Sequence, residues 1–146
     1  MKFYLIIKIL FSCTVSIMVL GFTYKLENTN IQQQKKEAWL APKDSDNLKN
    51  PFTDKKSSAL DGKKTFVQYC ISCHGNEGIG NGPASVSLNP KPGNLTSKEV
   101  QKQSDGNIFW KVSNGRGAMV AWKFTLSEKQ RWQLVNYVRE LGKKSR

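Results

Sequence analysis

The run Cys70-Ile71-Ser72-Cys73-His74 is the feature that most restricts how this chain can fold. Two thiols three positions apart, followed at once by a histidine, are the attachment signal of a c-type haem. Each thiol can form a thioether bond to a haem vinyl group, and His74 is then directed at the iron. The sequence therefore predicts a domain that folds around a covalently held haem c, with Cys70 and Cys73 as its attachment points.

Other uses of the two cysteines agree less well with the rest of the chain. A zinc site needs about four nitrogen or sulfur ligands, and the chain offers only Cys13, Cys70, Cys73 and His74, with Cys13 inside an apolar run. A thioredoxin-like redox motif is expected beside a βαβ pattern, which this sequence does not have. A structural disulfide between Cys70 and Cys73 stays an alternative, although it leaves His74 without a role.

The axial ligands of the haem iron follow partly by elimination. Haem iron in electron carriers takes a histidine on one side and a methionine or second histidine on the other, and His74 is the only histidine of the chain. Of the three methionines, Met1 is the start residue and Met18 lies in an apolar N-terminal run. Met119, in the glycine-rich residues 115–122, is thus the predicted sixth ligand. A lysine nitrogen, a water molecule and an open position are the alternatives.

Residues 59–142 resemble a small monohaem class I cytochrome c of the bacterial periplasmic, membrane-anchored type. The motifs that carry the resemblance follow the family's order: the CxxCH run, the loop 75–83, Asn89-Pro90-Lys91-Pro92, the methionine segment and a C-terminal amphipathic helix. The resemblance implies an all-α fold, with three or more helices wrapped around one covalently attached haem. It also implies that the first helix crosses the C-terminal helix with the face that carries Gly62 and Phe66.

Three helices can be placed around this site. The first is predicted over residues 61–69 and the second over residues 105–113. The third begins at Ser127, where Gln130 completes a capping box, and Gly142 is its stop signal. The apolar face of the third helix consists of Leu134, Val135, Val138 and Leu141, with Trp132 and Tyr137 beside it.

Three further residues are candidates for binding the haem. In the family, a proline carbonyl accepts the hydrogen bond of the other imidazole nitrogen of the ligand histidine, which fixes its orientation, and Pro83 is the candidate here. Trp122, three residues past Met119, is placed to pack near a haem propionate or to donate its indole N–H to it. Arg116, like Lys123, is a cationic candidate for the same propionate. A core position is the alternative for Trp122.

The N-terminal residues 1–24 are predicted to be a membrane anchor or a signal sequence. From Phe3 to Tyr24 there are 22 residues in which Lys8 is the only charge, and about 20 apolar residues cross a bilayer. A small-residue cleavage site is missing, which favours an uncleaved transmembrane helix. A lipoprotein with its lipid on Cys13 competes, because residues 10–13 resemble a lipobox. Either interpretation places the haem domain on the periplasmic face of a bacterial inner membrane.

A polar segment, residues 25–58, follows the anchor and precedes the cytochrome domain, residues 59–146. Its charged and amide-rich composition disfavours a packed core, so the sequence predicts a tether. Residues 39–42 and 50–52 are more apolar than a simple spacer. We expect these two stretches to dock on the cytochrome domain or on a partner.

The chain is strongly basic, with 23 Lys and Arg against 11 Asp and Glu. Residues 59–146 alone hold 14 basic and 6 acidic residues, a net charge of +8. A surface of this charge attracts nucleic acid, anionic lipid or acidic proteins, and nucleic acid is excluded as a partner outside the cytoplasm. We therefore expect acidic-surfaced redox partner proteins, with association rates that fall as the salt concentration rises.

Together these features predict a carrier that transfers single electrons between periplasmic or membrane respiratory partners and transforms no organic substrate. Two alternatives stay open. The chain can be an integral haem subunit of a larger respiratory enzyme complex, or a haem-based sensor or catalyst with an open sixth position on the iron. The single CxxCH run excludes a di-haem peroxidase.

Overall fold

Five α-helices carry the fold in the computed structural model, which describes residues 38–52 and 54–144. They are α1 (Lys55–Tyr69), α2 (Ile71–His74), α3 (Lys98–Gln101), α4 (Asp105–Asn114) and α5 (Glu128–Lys144). Short 3-10 helices at Lys43–Asn47, Pro83–Ser87 and Trp122–Phe124 add to them. The described residues contain no β-strand, so the predicted all-α fold is confirmed.

Helix α1 begins earlier than the sequence predicts. Asp54 caps its N-terminus, because the carboxylate accepts hydrogen bonds from the backbone N–H groups of Lys56 at 3.1 Å and Ser57 at 3.0 Å. Aspartate is a strong N-cap residue. The predicted start at Asp61 is therefore wrong, whereas the predicted end at Tyr69 is confirmed.

Helix α5 has the N-terminal signal that the sequence predicts. The Gln130 N–H donates to Ser127 Oγ at 3.2 Å, and the Ser127 N–H donates to Gln130 Oε1 at 2.9 Å, which completes the capping box. The predicted stop at Gly142 is wrong, because the helix continues to Lys144. Gly142 is buried instead, and a Cβ atom there would lie 2.3 Å from Gln101 Cδ. This glycine lets the Gln101 side chain approach the helix backbone.

Helices α1 and α5 cross in close contact and form the most extensive helix–helix interface of the described residues. At the crossing, a Cβ atom on Gly62 would lie 2.0 Å from the Gln133 carbonyl oxygen, so the two backbones touch. One turn further along α1, the centre of the Phe66 ring is 5.1 Å from that of Tyr137. The face with Gly62 and Phe66 therefore packs on the C-terminal helix, as the family resemblance implied.

Helix α5 supplies most of the core. Its predicted apolar face is buried, together with the two flanking aromatic residues. One cluster joins α1 to α5 and consists of Phe66, Leu126, Leu134, Tyr137 and Leu141. A second cluster joins α4 to α5 and consists of Ile108, Phe109, Trp132, Val135 and Val138. Because α5 packs against both α1 and α4, it sets the positions of the C-terminal ends of these two helices.

Residues 43–52, which we call the strap, pack on the helices before α1 begins. The Asn50 side-chain amide donates to Asn136 Oδ1 at 2.7 Å and to Asp105 Oδ2 at 3.2 Å. Phe52 packs against the α4–α5 cluster. The apolar end of the strap thus docks on the helical domain, while the division of the chain at residues 24 and 58 stays a prediction.

The 3-10 helix of the strap contacts the N-terminal end of α4. Ser45 Oγ donates a hydrogen bond to Asn107 Oδ1, and Ser104 Oγ donates to Asp46 Oδ1 at 2.6 Å. A Cβ atom on Gly106 would lie 2.0 Å from the Ser45 carbonyl oxygen, so the two backbones are in contact. The strap therefore covers the beginning of α4, whereas the end of α4 leads into the methionine segment.

Within residues 38–52 and 54–144, no helix combines the length and the apolar character that a bilayer crossing requires. The predicted transmembrane helix of residues 1–24, the alternative lipid site Cys13 and the first part of the predicted tether lie outside the described residues. Their roles stay predictions.

Candidate haem-attachment site

Cys70, Cys73 and His74 lie together where α1 passes into α2. The backbone N–H groups of Cys73 and His74 donate to the Cys70 carbonyl oxygen at 3.2 and 2.8 Å. One tight turn thus carries both thiols and the imidazole. Both cysteines are free and half-buried, so they do not form the structural disulfide that the sequence left open.

The environment of Cys70 disfavours a thiolate. Burial, helped by the neighbouring Cys73 sulfur, raises the pKa of Cys70 to about 12. Zinc binds cysteine as the thiolate, and no group of three or more His, Cys, Asp or Glu side chains is arranged to hold a metal ion in the part of the chain that the structure describes. Two free thiols on one turn are suited to thioether bonds with haem vinyl groups.

The His74 imidazole is oriented by the backbone of a later loop. Its Nδ1 donates a hydrogen bond to the Gly93 carbonyl oxygen at 3.2 Å, which leaves Nε2 unprotonated and available to an iron atom. Burial lowers the pKa of His74, and the hydrogen bond to Gly93 offsets part of this change. The neutral imidazole, which is the form that binds metal, is therefore favoured.

The carbonyl that contacts His74 is that of Gly93 and not that of Pro83, the candidate from the family resemblance. Pro83 is exposed at the start of the 3-10 helix Pro83–Ser87. The residues before it are hydrogen-bonded to the end of α2, where the Gly80 N–H donates to the His74 carbonyl at 2.9 Å. Because this stretch caps α2, the imidazole is contacted by the later part of the loop. A contact between Pro83 and the haem stays a prediction.

Residues 75–95 form a loop that folds back on itself beside α2. The Leu95 N–H donates to the Gly78 carbonyl at 2.7 Å, which joins the end of the loop to its beginning. Lys91 Nζ donates to two carbonyl oxygens of the same loop at 2.9 and 2.7 Å. These bonds hold the loop closed, so that its later half lies against the imidazole.

Met119 lies in the Met loop, residues 115–122, which joins α4 to the 3-10 helix Trp122–Phe124. The backbone N–H groups of Arg116 and Met119 each donate to the other residue's carbonyl oxygen at 3.0 Å. Gly115 has a φ of +61°, and a Cβ atom there would lie 2.2 Å from the Met119 carbonyl oxygen. The loop is therefore a tight turn that needs glycine at its start. Ligation of iron by the half-buried Met119 stays a prediction.

Trp122 fixes the end of the Met loop in the core. It packs on the α1–α5 cluster, on which Tyr69, Cys70 and Ile71 also pack. The centre of the Trp122 ring is 5.3 Å from that of Tyr69, and the two rings are tilted by 57°. The structure thus gives Trp122 a packing role and places the Met loop beside the end of α1. Its contact with a haem propionate stays a prediction.

Two exposed cations, Arg116 and Lys123, lie at the Met loop. Lys123 Nζ donates to Asn114 Oδ1 at 2.9 Å. Burial lowers the pKa of Lys111, and the positive charge of Arg116 lowers it further. Residues 106–127 contain three basic residues and no acidic one. The segment is therefore positively charged, and the propionate contact proposed for Arg116 stays a prediction.

Two residues of this region were not singled out by the sequence. Gly93 contributes its backbone carbonyl, and such a group cannot be recognised from the residue type. Tyr69 immediately precedes Cys70, but no pattern in the sequence pairs it with Trp122. Both contacts join segments that are distant along the chain, so only the folded structure brings them together.

The donors of the site fit a covalently attached haem c. Two free thiols and an imidazole with an available Nε2 are held on one turn, and the loop that bears Met119 is joined to the end of α1 through Trp122. A protein-family model described as "Cytochrome C oxidase, cbb3-type, subunit III" matches residues 57–138. The match contains Cys70, Cys73, His74 and Met119, and it begins after the strap.

Two curated proteins are similar in sequence. The cbb3-type cytochrome c oxidase subunit FixP of Bradyrhizobium diazoefficiens is 35% identical over 92 residues, which are 62% of this chain and 30% of FixP. Cytochrome c6 of Cladophora glomerata is 34% identical over 85 residues, which are 53% of this chain and 82% of that protein. The chain thus spans a small part of FixP and most of cytochrome c6.

A solved structure is similar in fold. A chain of the reducing HAO-like protein complex of Kuenenia stuttgartiensis superposes with a TM-score of 0.56 at 26% identity, over 64% of this chain and 49% of that chain. The similarity covers about half of the Kuenenia chain and therefore applies to only part of that protein.

Proposed function

Because the chain belongs to the cytochrome c family, we propose that it carries single electrons through one haem c, held by Cys70 and Cys73 and ligated by His74 and Met119. Family membership implies c-type electron transfer and a covalent haem c. The observation that carries the proposal for this chain is the hydrogen bond from His74 to Gly93, on the turn that bears both thiols.

The bound haem iron supplies a one-electron redox couple. The protein's part is to hold and orient it. Cys70 and Cys73 would attach the haem where α1 passes into α2, and the hydrogen bond to the Gly93 carbonyl would keep the His74 ring oriented with Nε2 available to the iron. The carbonyl that orients the imidazole belongs to a loop closed by its own hydrogen bonds, which favours a fixed orientation of the ring.

Met119 is the proposed sixth ligand. It lies outside residues 1–24, which contain the other two methionines, in a tight turn whose backbone is fixed by paired hydrogen bonds with Arg116. Met/His ligation raises the reduction potential of a haem. A lysine nitrogen, a water molecule or an open position would give a different spectrum, so the ligand can be tested directly.

The spectrum of the oxidised full-length protein in the visible and near infrared tests this proposal. We expect a low-spin haem with a methionine–iron charge-transfer band that is lost in Met119→Ala. Met18→Ala, which removes a methionine from the N-terminal run, is the matched control and keeps the band. A wild type that is high-spin when oxidised and binds carbon monoxide readily when reduced would contradict the ligation and favour a sensor or catalyst.

Acidic-surfaced redox proteins are the proposed partners. The support is the net charge of residues 59–146 and the absence of acidic residues from 106 to 127, around the Met loop. Opposite charges speed the encounter of two proteins, and salt screens the effect. We expect electron transfer to an acidic redox protein to slow as salt rises, and to slow in Arg116→Gln at low salt. Lys43→Gln on the strap is the control and should change the rate little.

A location at the bacterial inner membrane, with the haem domain facing the periplasm, is part of the proposal. Its support is the run from Phe3 to Tyr24, which is long enough to cross a bilayer and has one charge. Fractionation tests it: the full chain should stay with membranes after a high-salt wash, and a chain without residues 1–24 should not.

A second candidate function is that of a haem subunit in a larger respiratory enzyme. It is favoured by the family description, which is that of an oxidase subunit, and by the similarity to FixP. Purification in mild detergent separates the two functions. A free carrier elutes alone, whereas a stable complex with constant stoichiometry would overturn the free-carrier proposal.

A further inference from the structure

For Met119 to bind the same iron atom as His74, the Met loop has to be held in a fixed position relative to the turn that carries His74. Two of its hydrogen-bonded contacts are local. Arg116 and Met119 bond to each other, and Lys123 bonds to Asn114. Both contacts stay within residues 114–123, so they shape the loop but do not join it to α1 or α2.

The contact between Tyr69 and Trp122 makes this connection. Tyr69 is the last residue of α1 and immediately precedes Cys70, while Trp122 lies three residues after Met119. Their ring centres are 5.3 Å apart with a tilt of 57°, a separation and orientation at which aromatic rings attract each other. Both rings also pack on the α1–α5 cluster, which contains Phe66 of α1 and Tyr137 of α5.

We propose that Tyr69 and Trp122 form a latch that positions Met119 on the haem iron. The inference rests on the proposed function, because it concerns the ligand that this function assigns. Tyr69 and Trp122 are positioning residues: they hold the loop closed over the haem, so that the methionine sulfur stays near the iron. When the latch is lost, the loop opens more often and another ligand can take the place of Met119.

Imidazole binding to the oxidised, haem-loaded full-length protein measures how often the loop opens. Imidazole can reach the iron only when Met119 has left, so its apparent affinity rises with the population of the open loop. We expect Tyr69→Leu and Trp122→Leu to raise this affinity by about 2- to 10-fold, the effect of losing one aromatic pair. Both should also weaken the methionine–iron band.

Conservative and double variants separate positioning from general damage. Tyr69→Phe keeps the ring and should bind imidazole as the wild type does. The double variant Tyr69→Leu/Trp122→Leu should resemble either single variant, because each removes the same contact. Two single variants are used, so that the proposal can still be tested if one of them loads haem poorly.

Two matched controls complete the design. Phe124→Ala removes an aromatic ring from the same 3-10 helix, but Phe124 is 82% exposed. Val138→Ala weakens the other core cluster without touching the latch. Both should leave the imidazole affinity unchanged, although Val138→Ala lowers the free energy of unfolding.

The outcomes distinguish the latch from the ligation. The latch proposal alone is overturned if the wild type shows the methionine–iron band and Tyr69→Leu binds imidazole no better than Phe124→Ala does. A Tyr69→Phe variant as impaired as Tyr69→Leu would overturn it as well. The assignment of Met119 as the ligand would then stand. A wild type without the band overturns the assignment of Met119 and the latch with it.

Discussion

Gly62 on α1 and Gln133 on α5 approach so closely that a Cβ atom on Gly62 would lie 2.0 Å from the Gln133 carbonyl oxygen. No side chain fits this gap, so the backbones of the two helices are in direct contact. Phe66 packs on α5 one turn later, and Cys70 follows one turn after Phe66. The crossing therefore sets the position of the turn that bears Cys70, Cys73 and His74.

Replacing Gly62 tests the crossing. We expect Gly62→Ala to lower the free energy of unfolding by about 1–3 kcal/mol, the usual cost of an overpacked core, although alanine is the better helix former. Denaturant unfolding of the haem-loaded protein measures it. Lys63→Ala, at the exposed neighbouring position, should change stability by less than about 0.5 kcal/mol. A Gly62→Ala protein at least as stable as the wild type would refute the close crossing.

The Met loop contains two glycines with nearly the same φ angle and different surroundings. Gly115 and Gly117 have φ values of +61° and +58°, so alanine is strained at both. Only at Gly115 does a Cβ atom meet other groups, the Met119 carbonyl oxygen at 2.2 Å and the Val120 carbonyl carbon at 2.6 Å; at Gly117 nothing lies within 4 Å. The pair separates a steric effect on Met119 from backbone strain.

We expect Gly115→Ala to displace Met119 and to weaken the methionine–iron band strongly. Gly117→Ala should keep most of the band and lose about 1 kcal/mol of stability, the cost of a left-handed alanine. The near-infrared spectrum and a denaturant titration of the two variants measure this. Equal loss of the band in both would show that strain, and not contact with Met119, governs the loop.

Asp105 links α1 and α5 through ion pairs and the strap through a hydrogen bond. Arg139 Nε lies 2.8 Å and Lys55 Nζ 3.1 Å from its carboxylate, and Asn50 also donates to it. Burial by itself would raise the pKa of Asp105, but the hydrogen bonds from these three residues outweigh it and lower the pKa. Such a carboxylate stabilises the fold above its unfolded pKa of about 3.9, and the contribution is lost as the pH falls through the lower folded pKa.

The stability of Asp105→Asn should therefore differ from that of the wild type mainly at neutral pH. We expect a loss of about 1.5–3 kcal/mol at pH 7, typical of hydrogen bonds to a charged group, and a shrinking difference below about pH 4. Urea unfolding at a series of pH values measures it. Asp44→Asn, an exposed acid in the strap, serves as the control. Parallel stability curves for wild type and Asp105→Asn would rule out this role of the carboxylate.

The strap should contribute to the stability of the haem domain. Asn50→Ala removes the donor to Asn136, which is 1% exposed and would be left with an unpaired amide oxygen. We expect a loss of about 1–3 kcal/mol, the cost of an unsatisfied buried group. Lys49→Ala, exposed beside it, should be close to neutral in the same unfolding experiment. If both variants were equally stable, the strap would not be part of the folded unit.

Helix α5 could be predicted from the sequence because its signals are local. Ser127 and Gln130 lie three residues apart, and the apolar residues repeat at helical spacing, so the capping box and the buried face are confirmed. The predicted start of α1 at Asp61 is wrong, because the helix is capped by Asp54. The predicted stop at Gly142 is wrong, because a glycine that allows a neighbouring side chain to approach looks the same in the sequence as one that ends a helix.

The contacts that hold the site together could not be predicted in the same way. His74 with Gly93, Tyr69 with Trp122, and the strap with α4 each join segments that are distant in the sequence, and one of the partners is a backbone carbonyl. The sequence pattern of one segment does not indicate which group in a distant segment it contacts. The residue types of the site were therefore predictable, whereas the groups that orient them were not.

The number of electrons that each chain accepts tests the central claim most directly. A coulometric titration of the purified full-length protein, followed by haem absorption, counts them, and denaturing electrophoresis with haem staining shows whether the haem stays on the chain. We predict one electron per chain, a one-electron Nernst curve, and a haem that remains attached unless Cys70 and Cys73 are both replaced by alanine. More than one electron per chain, or a haem that separates from the wild type on denaturation, would contradict the account.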